Sequence, residues 1–327
     1  MEAIVVTRTG GPEVLEHTEG AELTAGPGRL LVRVAAAGVN FIDTYFRVGA
    51  YPRPLPFTPG GEFAGTVEAV GEGVTGFEVG DRVASVDSVS GSYAQHTLVD
   101  AARAVRIPER IALETAAAAL LQGLTAHYLT TSTWPIQKGQ TALVHAAAGG
   151  MGLQLTQMIK ARGGRVIGTV STQEKEAVAR AAGADEIIRY TEVEDLPAAV
   201  RAVTENGRGV DVVYDGVGKT TFDASLASLR PRGLLALYGA ASGPVPPFEL
   251  QRLNSGGSLF VTRPSLMHYI ATAEELAWRA GELFTAVASG DLCINVGARY
   301  PLAEAAAAHT ALESRATTGK VLLIPGQ

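Results

Sequence analysis

The chain has 327 residues, 46% hydrophobic and 18% charged, which is enough length for two domains with sizeable cores and too apolar a composition for disorder. A formal net charge of −6 argues against a nucleic-acid-binding surface. The lone cysteine, Cys293, excludes an intrachain disulfide framework and a multi-cysteine zinc site.

Residues 1–125 alternate short apolar or β-branched runs with Gly and Pro clusters. Strands are expected at Ala3–Arg8, Arg29–Ala36, Glu62–Val70, Arg82–Val86, Ser92–Val99 and Ala104–Ile107, which makes a β-rich domain. Met1 runs straight into Glu2-Ala3-Ile4-Val5-Val6 with no basic n-region or long apolar h-region, and no apolar run reaches about 18 residues. The expectation is a cytoplasmic protein. An Ala-rich helix over Glu114–Tyr128 contains Gln122-Gly123-Leu124-Thr125, read as the crossing into a second domain.

That domain opens with the apolar strand Ala142-Leu143-Val144, followed by Ala147-Ala148-Gly149-Gly150-Met151-Gly152. The spacing fits the dinucleotide fingerprint G-x-G-x-x-G with Ala147 in the first glycine position. Gly149 falls where backbone approaches a pyrophosphate, and Gly152 where helix and strand pack closely. Met151, Leu155, Met158 and Ile159 then recur at helical spacing, so the glycines sit at a helix N-terminus, which favours a phosphate. The next strand, Val166–Val170, ends at Ser171-Thr172, where the fold places its ribose-reading residue. No Asp or Glu stands there to repel a 2′-phosphate, and Ser171, Thr172 and Lys175 can donate to one, so NADPH is favoured over NADH.

Strands near Glu186–Tyr190, Val210–Tyr214, Leu234–Tyr238 and Ser258–Thr262, with helices near Leu196–Thr204 and Thr220–Leu229, complete six strands, the doubly wound count. Gly216, Val217, Gly239 and Ala240 fall at the carboxyl ends of the later strands, where a cofactor would cross the sheet. Thr272 and Glu275 mark a capping box for a helix whose apolar face runs from Leu276 to Val287 and ends at Gly290. A helix over Leu302–Glu313 and a strand over Lys320–Ile324 follow, and this C-terminal part is expected to rejoin the first domain and leave a cleft between the two.

Several segments resemble the medium-chain dehydrogenase/reductase superfamily, and within it the zinc-free quinone oxidoreductases that include zeta-crystallin. They are Val39-Asn40-Phe41-Ile42-Asp43-Thr44-Tyr45, Pro59-Gly60-Gly61-Glu62-Phe63-Ala64-Gly65, the stretch Val144–Gly152, Val261-Thr262-Arg263-Pro264-Ser265-Leu266 and Glu313-Ser314-Arg315-Ala316-Thr317. The resemblance covers essentially the whole chain. It implies a GroES-like β-rich catalytic domain over 1–125 and 263–327, and a doubly wound Rossmann domain over 126–262. It also implies Asn40 where zinc relatives carry a Cys and Gly61 where they carry a His, so no first-shell zinc site is expected. His96 and His145 are read as structural histidines.

Under the same resemblance Asn40, Asp43, Tyr45, Tyr51 and Gln122 are the candidate catalytic residues. Thr125, Ala148, Gly149, Gly150, Met151, Gly152, Ser171, Lys175, Tyr190, Gly216, Val217, Gly239, Ala240, Phe260, Val261, Arg263 and Arg315 are the candidate NADPH contacts, with Lys175, Tyr190 and Arg315 assigned to the 2′-phosphate. The implied activity is hydride transfer from NADPH to a quinone, with reduction of activated enones or enals as the alternative. A non-enzyme reading, an RNA-binding or crystallin-like structural protein, fits the intact fingerprint and the acidic balance poorly. Leu259-Phe260-Val261 reads as an apolar strand at the sheet's last position, where the resemblance points to pairing with the same strand of a second subunit in a homodimer.

Overall fold

The computed structural model describes Met1–Gly326. The chain opens with the antiparallel pair β1 (Glu2–Val5) and β2 (Glu16–Glu19). It continues through β3 (Arg29–Val39), helix α1 (Phe41–Arg47), β4 (Phe63–Val70), β5 (Arg82–Ser85), β6 (His96–Asp100), β7 (Val105–Arg106) and α2 (Leu113–Tyr128). An alternating stretch follows: β8 (Thr141–Val144), α3 (Gly150–Ala161), β9 (Arg165–Val170), α4 (Gln173–Ala181), β10 (Glu186–Arg189) and α5 (Leu196–Ala202). It runs on through β11 (Val210–Asp215), α6 (Phe222–Ser228), β12 (Leu229–Leu237), α7 (Gln251–Ser255), β13 (Phe260–Thr262) and α8 (Leu266–Tyr269). The chain ends with α9 (Ala273–Ser289), β14 (Val296–Pro301), α10 (Ala305–Glu313) and β15 (Lys320–Ile324).

These elements form two compact units, Met1–Leu124 together with the chain from Ile270 onward, and Thr125–Tyr269. In the first, a seven-stranded sheet has the order β14-β15-β3-β4-β5-β7, with β6 also pairing β3. Strand β3 organises it. Leu30, Val32 and Val34 alternate inward against the exposed Arg33, and from Ala36 to Val39 the strand is buried on both faces. The last strand pairs with it antiparallel (Val321↔Val39, Leu323↔Ala37), so the C-terminus is built into the first unit. Val32, Phe63, Val67, Tyr93, Val321 and Leu323 share one core there, each large apolar side chain contributing about 1.5–3 kcal/mol by burial.

Two elements of this unit carry no clear sequence signal. Helix α1 is built from Phe41, Ile42, Thr44, Tyr45 and Phe46, poor helix formers, and tertiary contacts at both ends offset that propensity. Strand β14 contains Gly297, Arg299 and Pro301, which break any alternation, and it sits at the sheet edge where Pro is tolerated. Helix α9 follows its pattern: Thr272 Oγ1 accepts from the Glu275 N–H at 3.2 Å, and Gly290 ends the helix at φ 83°.

The second unit is a six-stranded parallel sheet in the order β10-β9-β8-β11-β12-β13, with the topological switch between β8 and β11. The apolar run at β8 is buried throughout, as expected for a central parallel strand. Strand β12 begins at Leu229, ahead of the expected Leu234, and its pairing with β11 shifts register between Val210 and Val212. β13 is the edge strand, and Phe260 on it is 56% exposed. Among the described residues no helix is long and apolar enough to cross a membrane.

Candidate functional site

In the second unit the candidate site is made of backbone. After β8 the chain turns at Ala146, whose φ is 51°, one residue before the first position of the fingerprint. Ala147 N–H then donates to Thr169 O at 3.0 Å, and Gly149 N–H to Ala146 O at 2.9 Å. Gly149 is the N-cap of α3 and provides no side-chain cap, so the first-turn N–H groups of Gly150, Met151 and Gly152 can serve phosphate oxygens. A Cβ on Gly152 would stand 2.4 Å from Ala146 O and 2.6 Å from Ala147 Cα, so only glycine allows this approach of helix to strand. At the end of β9, Ser171 is followed by Thr172, whose Oγ1 caps α4 by accepting from the Lys175 N–H at 3.3 Å. Tyr190 is 40% exposed just beyond β10, and its N–H donates to Val170 O.

Behind this edge lies a buried cluster. Ser225 Oγ donates to Asp215 Oδ2 at 2.7 Å, so it accepts from His145 Nε2–H at 3.0 Å, and His145 Nδ1 accepts from Thr169 Oγ1 at 3.0 Å. Burial holds the His145 pKa below its ordinary value, against the opposing pull of Asp215, and the ring is neutral. Asp215 also accepts from Thr221 and from the N–H groups of Val217 and Gly218, fixing the loop that carries Gly216 and Val217. Gly239 packs on this loop: a Cβ there would lie 2.5 Å from Gly216 O. Thus Gly216, Val217, Gly239 and Ala240 come together at the carboxyl edge. Thr125 is buried at the start of this unit, Val261 is half-buried on β13 and Arg263 is exposed beyond it.

In the first unit the candidate residues are side chains, and the structure commits two of them internally. Asn40 Nδ2 donates to Glu62 Oε2 at 2.8 Å, while Asn40 Oδ1 accepts from Lys320 Nζ at 2.6 Å. Lys320 also pairs with Glu62 Oε2 at 2.5 Å, with both side chains fully buried. Asp43 Oδ2 accepts from the Asn40 N–H at 2.9 Å and from Tyr93 Oη at 3.1 Å. Burial pushes the Asp43 pKa up to about 6, although the Asn40 N–H, Lys320 and Tyr93 all pull it down. Tyr45 and Tyr51 pack edge to face at 5.5 Å, and Tyr51 is 40% exposed. Gln122 Oε1 is buried with no hydrogen-bond partner among the described residues. Arg315 lies in this unit, exposed, at φ 58°.

Four residues that local spacing does not mark complete the site's support: Glu62, Tyr93, His309 and Lys320. Tyr93 and Lys320 lie 50 and 280 residues from Asp43 and Asn40 respectively, and no periodicity encodes such a pairing.

A GroES-like unit joined to a doubly wound unit with a glycine-built phosphate loop defines a two-domain dehydrogenase. Residues 26–109 match the alcohol dehydrogenase GroES-like domain and residues 150–281 the family described as zinc-binding dehydrogenase. The chain is 48% identical to a quinone oxidoreductase of Pseudomonas aeruginosa over 97% of both chains, and 42% identical to a 2-haloacrylate reductase of Burkholderia over 99% of this chain and 98% of the relative. The crystal structure of Escherichia coli quinone oxidoreductase complexed with NADPH superposes with a TM-score of 0.97 at 45% identity, over 99% of this chain and 100% of that one. The chain belongs to the quinone oxidoreductases of the medium-chain dehydrogenase/reductase superfamily.

The zinc in that family description does not fit the residues present. Gly61 has no side chain, the Asn40 amide is taken by Glu62 and an ammonium, and no three His, Cys, Asp or Glu come together as ligands among the described residues.

Proposed function

We propose that this protein is an NADPH:quinone oxidoreductase that works without zinc. The observation that carries the reading is the uncapped N-terminus of α3, cradled by Ala146, Ala147 and Gly152, beside a β9 end at Ser171 with no acidic residue. NADPH supplies a hydride when bound, and a quinone that takes this hydride and one proton becomes the hydroquinone. The protein's part is to hold and orient. The α3 N–H groups hold the pyrophosphate, Lys175 and Tyr190 hold the 2′-phosphate, and the Gly216 and Gly239 loops allow close backbone approach. Tyr45 and Tyr51 give the acceptor an aromatic wall.

Steady-state rates with several quinones and 2-alkenals, each with NADPH, test this. Quinones are expected to turn over fastest, and negligible quinone turnover beside robust alkenal reduction would overturn it. Reduction of activated enones or enals is the second reading, favoured by the 42% identity to a 2-haloacrylate reductase. We also infer a homodimer through β13, supported by the exposed Phe260 on an unpaired sheet edge. Light scattering at micromolar concentration is expected to report twice the chain mass.

A further inference from the structure

Helix α1 is seven residues long, too short to hold its own shape, so what fixes it sets the place of the Tyr45 and Tyr51 rings. Asp43 near its start and Arg47 at its end are four residues apart and lie on one face. Both lead to a single ring, His309 on α10, which is completely buried. Arg47 Nη1 lies 2.9 Å from His309 Nδ1, and His309 Nε2 lies 3.0 Å from Tyr93 Oη, which in turn bonds Asp43. A guanidinium can only donate, so Nδ1 accepts, Nε2–H donates to Tyr93, and Tyr93 O–H donates to Asp43. Every donor in the chain Arg47, His309, Tyr93, Asp43 points the same way. Burial first and Arg47 second bring the His309 pKa down to about 3, consistent with a neutral ring of fixed tautomer.

The charged groups around this string are all matched. Arg47 pairs with Glu313 at 2.8 and 3.0 Å and donates to Gly10 O, while the Glu62–Lys320 pair acts on Asp43 with opposing charges. Tyr45 stands between Asp43 and Arg47 in sequence, and its carbonyl accepts the Tyr51 N–H at 3.1 Å. A shift of either end of α1 therefore moves the aromatic pair directly.

We propose that His309 is a positioning residue for the electron acceptor: it ties the two ends of α1 together and so sets the Tyr45 and Tyr51 wall. This rests on the reading that those rings hold the acceptor. His309→Ala is expected to raise the KM for a quinone about tenfold while leaving the KM for NADPH within about twofold. His309→Gln, which offers one acceptor and one donor, restores most of the loss. Tyr93→Phe keeps the ring, removes only the hydroxyl link, and reads the same split should His309→Ala fail to fold. Equal changes in both Michaelis constants, or no change in that for quinone, would overturn the proposal. Tyr51→Ala, assayed alongside, separates the two layers: without effect on the quinone KM it removes the reading and the proposal together. If Tyr51→Ala raises that KM and neither His309→Ala nor Tyr93→Phe does, the proposal alone fails.

Discussion

Both units bury a polar cluster behind their candidate site, and the two clusters are built from opposite materials. In the dinucleotide unit one carboxyl, three hydroxyls, an imidazole and backbone N–H groups hold loops of small residues. In the GroES-like unit an ion pair, a guanidinium and a string of side chains hold one another. The first candidate site is shaped by what is missing, since Gly152 and Gly239 leave room that any Cβ would fill. The second is shaped by what is present. Adding atoms should therefore break one, and removing them should break the other.

The largest effect is expected from removal. Lys320→Met leaves Glu62 buried at 0% exposure without its cation, and losing one member of a buried pair costs about 3–5 kcal/mol. Urea unfolding of the first unit should show that loss, and the double variant Lys320→Met with Glu62→Gln should recover much of it. A single variant within about 1 kcal/mol of the parent would mean that Glu62 is satisfied by the Asn40 amide and the Leu121 N–H alone.

Addition comes next. Gly152→Ala sets a methyl 2.4 Å from Ala146 O and 2.6 Å from Ala147 Cα, both backbone atoms, so α3 has to move away from β8. Overpacking of this kind costs about 1–3 kcal/mol, and here it also displaces the first-turn N–H groups proposed to bind phosphate. Dinucleotide affinity measured by nucleotide fluorescence titration should fall by more than about tenfold. Unchanged affinity would move the phosphate site away from the α3 N-terminus.

The same contrast governs how much could be read from the chain. The glycine loop and the six strands of the second unit follow local patterns, because backbone conformation is written in adjacent residues, and the edge position of β13 follows from its being the last strand of a doubly wound sheet. Lys320–Ile324 and the Thr272 cap were legible for the same reason. The support of Asn40 and Asp43 was not. Glu62 reaches Lys320 across 258 residues, and Tyr93 reaches His309 across 216, so only the folded sheet brings them together. Asn40 and Asp43 stand out as polar residues in an apolar stretch and face each other as N-cap and N3 of α1, a local spacing, but their other partners Glu62, Tyr93 and Lys320 lie at positions no spacing rule connects.

A third test exploits two buried groups of opposite tendency in the charged cluster. Asp43, raised to about 6, adds stability that is fully present below its unfolded pKa and is lost as pH rises through 6. His309, lowered to about 3, adds stability that is present above its unfolded pKa and is lost as pH falls toward 3. Between pH 6 and 4 the two therefore oppose, each by at most about 1.4 kcal/mol per pH unit. Asp43→Asn removes the member that gains on acidification. Its stability should fall more steeply than the parent's across that window, by up to about 1.4 kcal/mol per pH unit, in denaturant unfolding at stepped pH. Parallel curves would show that Asp43 keeps an ordinary carboxyl pKa.

The smallest effect is expected where a side chain is proposed to supplement the backbone site. Lys175 lies in the first turn of α4, and its N–H is held by the Thr172 cap, so the turn that carries it is fixed just beyond β9. At this strand end an acidic residue would accept from the ribose hydroxyl of NADH, and Ser171 cannot repel a phosphate as such a residue would. A charge-assisted bond from Lys175 to the 2′-phosphate would contribute about 1.5–3 kcal/mol before screening. Lys175→Ala should raise the KM for NADPH about tenfold, or about 1.4 kcal/mol if it follows binding, and leave NADH kinetics nearly unchanged because NADH lacks that phosphate. Ser171→Asp should do the reverse of a general weakening: the new carboxylate repels the phosphate and accepts from a ribose hydroxyl, so NADPH binding falls while NADH binding improves. If Lys175→Ala lowers use of both cofactors equally, its role is to hold α4 in place, and the preference for NADPH then rests on the absence of an acidic residue at the end of β9.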